Sequence, residues 1–159
     1  VALPFWVNSK AKSQIIVKRR AEYRRNLTIR PPSVIKGRFD PDSYRPEPVA
    51  VNSETLKGLA VSSGKVTGKA RVILDTRSKE TVRPGEILVA PFTDPGWTPY
   101  FMAACGIVVD MGGVLSHGSI VAREYGIPAV VNVGPATQII KTGQTIKVDG
   151  DRGTVKILN

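Results

Sequence analysis

His117 is the only histidine of the 159-residue chain, and it stands in the run Gly112-Gly113-Val114-Leu115-Ser116-His117-Gly118. A Gly-Gly pair permits a tight turn whose backbone N–H groups point inward. Ser116 is a residue type that caps a helix through its hydroxyl. Residues 117–125 read as a short helix, so His117 falls in its first turn. The positive end of a helix disfavours an imidazolium. A neutral ring keeps a nitrogen lone pair and can act as a nucleophile. A phosphoryl group accepted there would set its charge beside unpaired first-turn amides, where anions are stabilised. The pattern therefore suits a phosphoryl relay. It also suits an anion-binding loop with a bystander histidine, or a polar histidine at the surface. Gly118 has no side chain, which leaves room for a ligand to approach the backbone. Arg123 offers either a phosphate contact or a last-turn cation favoured by the helix dipole. Six residues beyond His117, it does not share that residue's helix face.

Other side chains have two readings each. Asp110, at the end of a strand, can orient a reacting group or cap a turn. Thr93, Asp94, Trp97 and Thr98 can rim a site or hold their Pro-rich loop in shape. Cys105 forms a thiol dyad with His117 or is a small buried hydrophobe beside an apolar run. One Cys and one His exclude a disulfide framework and any metal site built from several such ligands. A single unpaired thiol fits a reducing, cytoplasmic setting. No apolar run approaches the roughly 20 residues of a membrane span.

The elements that must position these residues follow from local signals. Gly126 and Pro128 close the helix 117–125. Ile87–Ala90, Ile107–Asp110 and Ala129–Val133 read as buried strands. Leu59–Val61, Lys65–Thr67 and Ala70–Leu74 read as short strands divided by Gly64 and Gly68. Residues 83–86 form a turn, and residues 91–99, with three Pro and a Gly, form a shaped loop. Thr145–Asp149 and Thr154–Leu158 make a terminal hairpin around Gly150-Asp151-Arg152-Gly153. Strand–helix–strand with flanking hairpins gives an α/β fold on a mixed sheet.

The net charge of +10 is concentrated at one end. Residues 1–48 hold eleven Lys and Arg against four Asp and Glu, whereas residues 49–159 hold twelve against nine. Residues 8–27 read as a basic helix with a thin apolar stripe of Ile16, Tyr23 and Leu27. The stretch 31–48 contains five Pro and reads as a stiff linker. The expected organisation is a basic helical arm and Pro-rich linker over 1–48 and an α/β domain over 49–159. The start, Val1-Ala-Leu-Pro-Phe-Trp, has no initiator Met, so the chain is expected to be a piece of a longer protein.

Gly112 to Val131, GGVLSHGSIVAREYGIPAVV, resembles the phosphohistidine signature of the phosphoenolpyruvate-utilising enzymes. That family includes phosphoenolpyruvate synthase, pyruvate phosphate dikinase, rifampicin phosphotransferase and, more distantly, enzyme I of the sugar phosphotransferase system. The segment VRPGEILVAPFTDPGWTPYF also resembles their mobile domain, and the likeness runs over roughly residues 56–159. The arm ending in RPPSVIKG resembles the linker that precedes that domain in synthase-like and rifampicin-phosphotransferase-like members.

The resemblance implies a three-layer β/β/α swivelling domain. It implies that His117 carries a phosphoryl group from an ATP site to an acceptor. Gly112, Gly113, Ser116 and Gly118 would shape the pocket, and Arg123 would touch the phosphate. ATP and Mg²⁺ are expected on partner domains of the same enzyme, with neither cofactor nor metal held by this one. A small-molecule acceptor would bind a third domain, and the carrier alone would not turn over. Leu115 stands where many dikinases have a regulatory Thr, so that regulation is not expected, while Ser116 remains a candidate. If Asn159 is a natural end, the carrier comes last, as in rifampicin-phosphotransferase-like enzymes. The competing reading is a non-catalytic α/β module whose basic arm contacts nucleic acid or an acidic protein.

Overall fold

The computed structural model describes residues 9–26, 38, 40, 42–43 and 54–158. The chain divides into two compact units, Val1–Pro48 and Val49–Asn159. The first contains helix α1, Ser9–Asn26, with Arg24 and Arg25 in its last turn, where the helix dipole favours cations. Ile16 and Tyr23 of its expected stripe are exposed. Leu27 and most of the Pro-rich stretch 31–48 lie outside the described residues. No described helix is long and apolar enough to cross a membrane.

Among its described residues the second unit carries eight strands and three α-helices. The strands are β1 (Thr55–Lys57), β2 (Leu59–Ser62), β3 (Lys65–Val72), β4 (Glu86–Ala90), β5 (Gly106–Val109), β6 (Ala129–Val131), β7 (Thr145–Asp149) and β8 (Thr154–Ile157). The helices are α2 (Thr98–Ala103), α3 (His117–Tyr125) and α4 (Ala136–Ile139). The strand order is β1-β8-β7-β3-β4-β5-β6-β2. Strands β3 to β6 pair in parallel, and β7, β8 and β1 pair antiparallel.

Burial follows from this pairing. Strands β5 and β6 are buried along their whole length, as parallel strands covered on both faces must be. Alternate residues of the central strands serve two cores. Leu88, Ala90, Ile107 and Val109 pack with Trp97, Phe101, Val121 and Ala122 on the helical side. Ile87, Val89, Val108 and Val130 pack with Ile146, Val148 and Val155 of the antiparallel strands on the other side. Helices, a parallel layer and an antiparallel layer make the three-layer β/β/α architecture, on a mixed sheet.

The sheet also closes on itself. β1 and β2 follow one another along the chain, separated only by Gly58, yet they stand at opposite ends of the strand order. β1 pairs with β8 and β2 with β6, so one extended segment seals both edges. Gly58 N donates to the Gly153 carbonyl at 2.8 Å.

Several elements differ from the sequence-based expectation. Lys65–Thr67 and Ala70–Leu74 belong largely to one strand, because Gly68 keeps its place in the ladder opposite Ile146. The Pro-rich loop gives way to a 3-10 turn, Pro95–Trp97, and then to α2, whose Pro lies in the first turn, where the missing N–H costs nothing. α4 and β1 carry no strong local signal and were not expected.

One ion pair ties β3 to β4. Arg71 donates from Nε and Nη2 to Glu86 Oε2 and Oε1 at 3.0 and 2.7 Å, and the Arg83 amide donates to Glu86 Oε2 at 2.8 Å. The Arg71 guanidinium is foremost in holding the Glu86 carboxyl below the usual carboxylate range. Glu86 therefore stabilises the fold when ionised, fully above its unfolded-state pKa and less as pH falls through the lower folded value. Glu86→Gln should cost about 1–2 kcal/mol at pH 7. In urea unfolding, the gap from wild type should shrink progressively below about pH 4.

Candidate functional site

The site lies beyond the carboxyl end of β5, where the chain turns from the parallel layer into α3. Asp110 closes the strand. Its Oδ1 accepts from the Thr137 amide at 2.9 Å and its Oδ2 from the Thr137 hydroxyl, which fastens α4 to the strand end. Asp110 is thus a cap. Gly112 passes close to β6: a Cβ there would lie 3.1 Å from Val131 Cβ. At Gly113 a Cβ would meet open space, and the residue contributes its carbonyl instead.

That carbonyl accepts from the Ser119 hydroxyl at 2.7 Å and from the Ser116 amide at 3.0 Å. Ser116 occupies the N-cap position with extended backbone, but its hydroxyl makes no capping bond to an amide. It sits 3.0 Å from Ser119 Oγ, and because the Ser119 proton is committed to Gly113, Ser116 is the donor. The expectation of a side-chain cap is therefore corrected. The first-turn amides of α3 have no carbonyl one turn back, and Ser116 Oγ does not take one of them. Ser119, fully buried, was not singled out from sequence. Its spacing of three from an N-cap serine is the available signal.

His117 is half-buried at the start of α3. Its Nε2 lies 3.4 Å from Thr98 Oγ1, and its ring centroid lies 6.5 Å from that of Phe101 with planes 28° apart. The Thr98 hydroxyl donates to the Pro95 carbonyl at 2.9 Å. Toward the imidazole the oxygen is then an acceptor, and the length of the contact lets it orient the ring without locking it. Of the loop residues, Thr93 and Thr98 reach the site. Asp94 accepts from the Gly96 amide at 2.8 Å and caps the 3-10 turn, and Trp97 goes into the core.

Gly118 needs its lack of a side chain for a different reason from the one expected. A Cβ there would collide with Thr93 Oγ1 and stand 3.4 Å from Phe101 Cζ. Protein, not ligand, fills that space. Gly118→Ala should cost about 1–3 kcal/mol. Thr93→Ala should recover part of that loss, which a double-mutant cycle in thermal unfolding would measure.

Arg123 reaches back along α3. Its Nη1 donates to the Val61 carbonyl at 3.3 Å and its Nη2 to the Val114 carbonyl at 2.9 Å. It braces the turn that carries His117. Cys105 stands before β5, at the opposite end of that strand from the His117 turn, and burial pushes its thiol up. Both facts remove the thiol dyad. Among the described residues, no group of three or more His, Cys, Asp and Glu is placed to hold a metal ion.

Fold and site together define a swivelling-type β/β/α domain that presents one histidine at a helix start. Residues 82–153 match the family described as PEP-utilising enzyme, mobile domain. Rifampicin phosphotransferase of Bacillus cereus is 43% identical over 152 residues, 94% of this chain and 17% of that protein. The prodigiosin synthesizing transferase PigC of Serratia marcescens is 49% identical over 148 residues, 91% of this chain and 16% of that protein. This chain therefore spans about one sixth of the length of these curated relatives. Among solved structures, holo-form aconitase X of Thermococcus kodakaraensis aligns with a TM-score of 0.51 and 25% identity, over 66% of this chain and 98% of that one. A differently named protein thus shares the architecture, and the functional reading must rest on the site.

Proposed function

We propose that this domain is the phosphoryl carrier of a larger ATP-dependent phosphotransferase of dikinase type, with His117 as the carrier. The observation that supports it most directly is the placement of His117, half-buried at the start of α3 beside first-turn amides that Ser116 Oγ does not cap. The name of one relative, rifampicin phosphotransferase, points to the same class of reaction. In the first step a nitrogen lone pair of neutral His117 attacks phosphorus. An N–P bond forms, and the bond from phosphorus to the leaving phosphate oxygen of the nucleotide breaks. In the second step an acceptor oxygen attacks phosphorus, the N–P bond breaks, and the electron pair returns to the ring. The acceptor loses its proton.

Each local feature has a part in this. First-turn amides stabilise the transferred charge. Thr98 orients the ring, and Ser119 and Arg123 hold the turn beneath it. ATP, Mg²⁺ and a small-molecule acceptor with a free hydroxyl, alcoholic or enolic, would be supplied by partner domains. The test is to give the intact enzyme ATP and Mg²⁺ and to map phosphorylation by mass spectrometry at alkaline pH. One acid-labile phosphoryl group on the peptide containing His117 is expected. An unlabelled peptide from enzyme that demonstrably cleaves ATP would sink the proposal.

A further inference from the structure

We infer that a collar of exposed apolar side chains around His117 is the face that docks on the phosphoryl donor, and that the donor presents an apolar rim around a cationic recess. The inference rests on His117 being the carrier.

Five of the ten large apolar side chains exposed on the described body lie on the chain segments that border that histidine: Phe92, Met111, Val114, Leu115 and Ile120. They come from three adjoining pieces of chain. The Met111 amide donates to the Pro91 carbonyl at 3.0 Å, which joins the loop of Phe92 to the turn of Met111. Val114 and Leu115 lie on the turn before α3, and Ile120 follows His117 by three residues, on a neighbouring position of the helix surface. Leu115 is 83% exposed, more than any other large apolar side chain described. Single exposed apolar residues are ordinary, but a cluster around a reactive group marks a contact surface.

Charge identifies the occupant. Residues 91–122 contain no Lys or Arg, and their only charged residues are Asp94 and Asp110. Arg123, the next cation along the chain, directs its guanidinium to the Val61 and Val114 carbonyls. A transferred phosphoryl group carries close to two negative charges. The positive end of a helix offsets about half a charge. The cations that complete the balance must come from the surface that meets this face. A nucleotide-phosphate site, cationic by necessity, set within an apolar rim fits both properties. A second copy of this face would bring apolar contact without cations.

The test uses the intact enzyme. Val114→Thr combined with Leu115→Gln keeps side-chain size and removes apolar surface, and Leu115→Met keeps both. The rate of His117 phosphorylation from ATP is followed by quenched mass spectrometry, beside thermal unfolding and oligomeric state. The double variant should be phosphorylated at least about tenfold more slowly with unchanged Tm, and Leu115→Met within about twofold of wild type. Wild-type enzyme that acquires no phosphoryl group overturns the carrier reading itself. A labelled wild type with an equally fast double variant overturns the collar and leaves the carrier reading intact. A double variant altered in oligomeric state but not in rate assigns the face to a second copy and likewise overturns the inference.

Discussion

His117→Ala in the intact enzyme is expected to abolish the acid-labile phosphoryl group and to lower turnover by at least roughly four orders of magnitude. No other described side chain at the site can replace it. Thr98, Thr93, Ser116 and Ser119 carry hydroxyls, but those of Thr98, Ser116 and Ser119 are committed to hydrogen bonds, and no base stands beside them to activate an oxygen. Folding should hardly register the change. The ring is half-buried, touches Phe101 at its margin and makes one long contact to Thr98. The loss should stay within about 1 kcal/mol. Phosphopeptide mapping and thermal unfolding of the same sample separate the two effects. Labelled His117→Ala protein would place the carrier elsewhere, and a large fall in Tm would make the histidine structural.

Gly150→Ala is expected to be the most damaging small substitution in the body. Gly150 is buried where the β7–β8 turn crosses the end of β2. An added Cβ would collide with the Ser62 carbonyl oxygen and lie 3.1 and 3.2 Å from Ser62 C and Ala129 N. All three are backbone atoms held in paired strands, so no side-chain rotation relieves the clash. A cost of about 3 kcal/mol or more follows. For a body of this size that lowers Tm by on the order of 15 °C. Gly113→Ala is the contrast. A Cβ there meets open space, and the effect should stay within about 0.5 kcal/mol. Similar Tm values for the two variants would refute the packing argument.

How much could be read beforehand depended on how local the cause was. α3 was legible because both of its ends are written in neighbouring residues. Gly126 takes φ +64, the left-handed conformation that lets the helix stop. β4, β5 and β6 were legible as apolar runs, because strands covered on both faces have no polar side to break the pattern. The closure of the sheet through β1 was not legible. It depends on Gly58 meeting Val131 and Gly153, 73 and 95 residues away, and three residues such as Thr55–Lys57 carry no period. Pro95 and Pro99 hid α2, because proline opening a helix and proline in a loop look alike in one sequence.

At the site the same limit applied. His117 and its place in the first turn were visible, and so was the separation of Arg123 from its face. The partners of Arg123, Ser116 and Gly118 lie across the fold or in the turn's own geometry. In the structure Arg123 braces the turn, Ser116 donates to Ser119, and Thr93 fills the space beside Gly118.

The pairing of β1 with β8 has a mechanical consequence. Thr55 lies opposite Lys156, and Ile157 N donates to the Glu54 carbonyl at 2.8 Å. Glu54 and Leu158, the first and last described residues of this unit, thus lie at neighbouring points on one rim. Force pulling Glu54 and Leu158 apart would part β1 from β8 one hydrogen bond at a time, from the rim inward, instead of shearing the whole ladder at once. That seam is where the body should give way first under load.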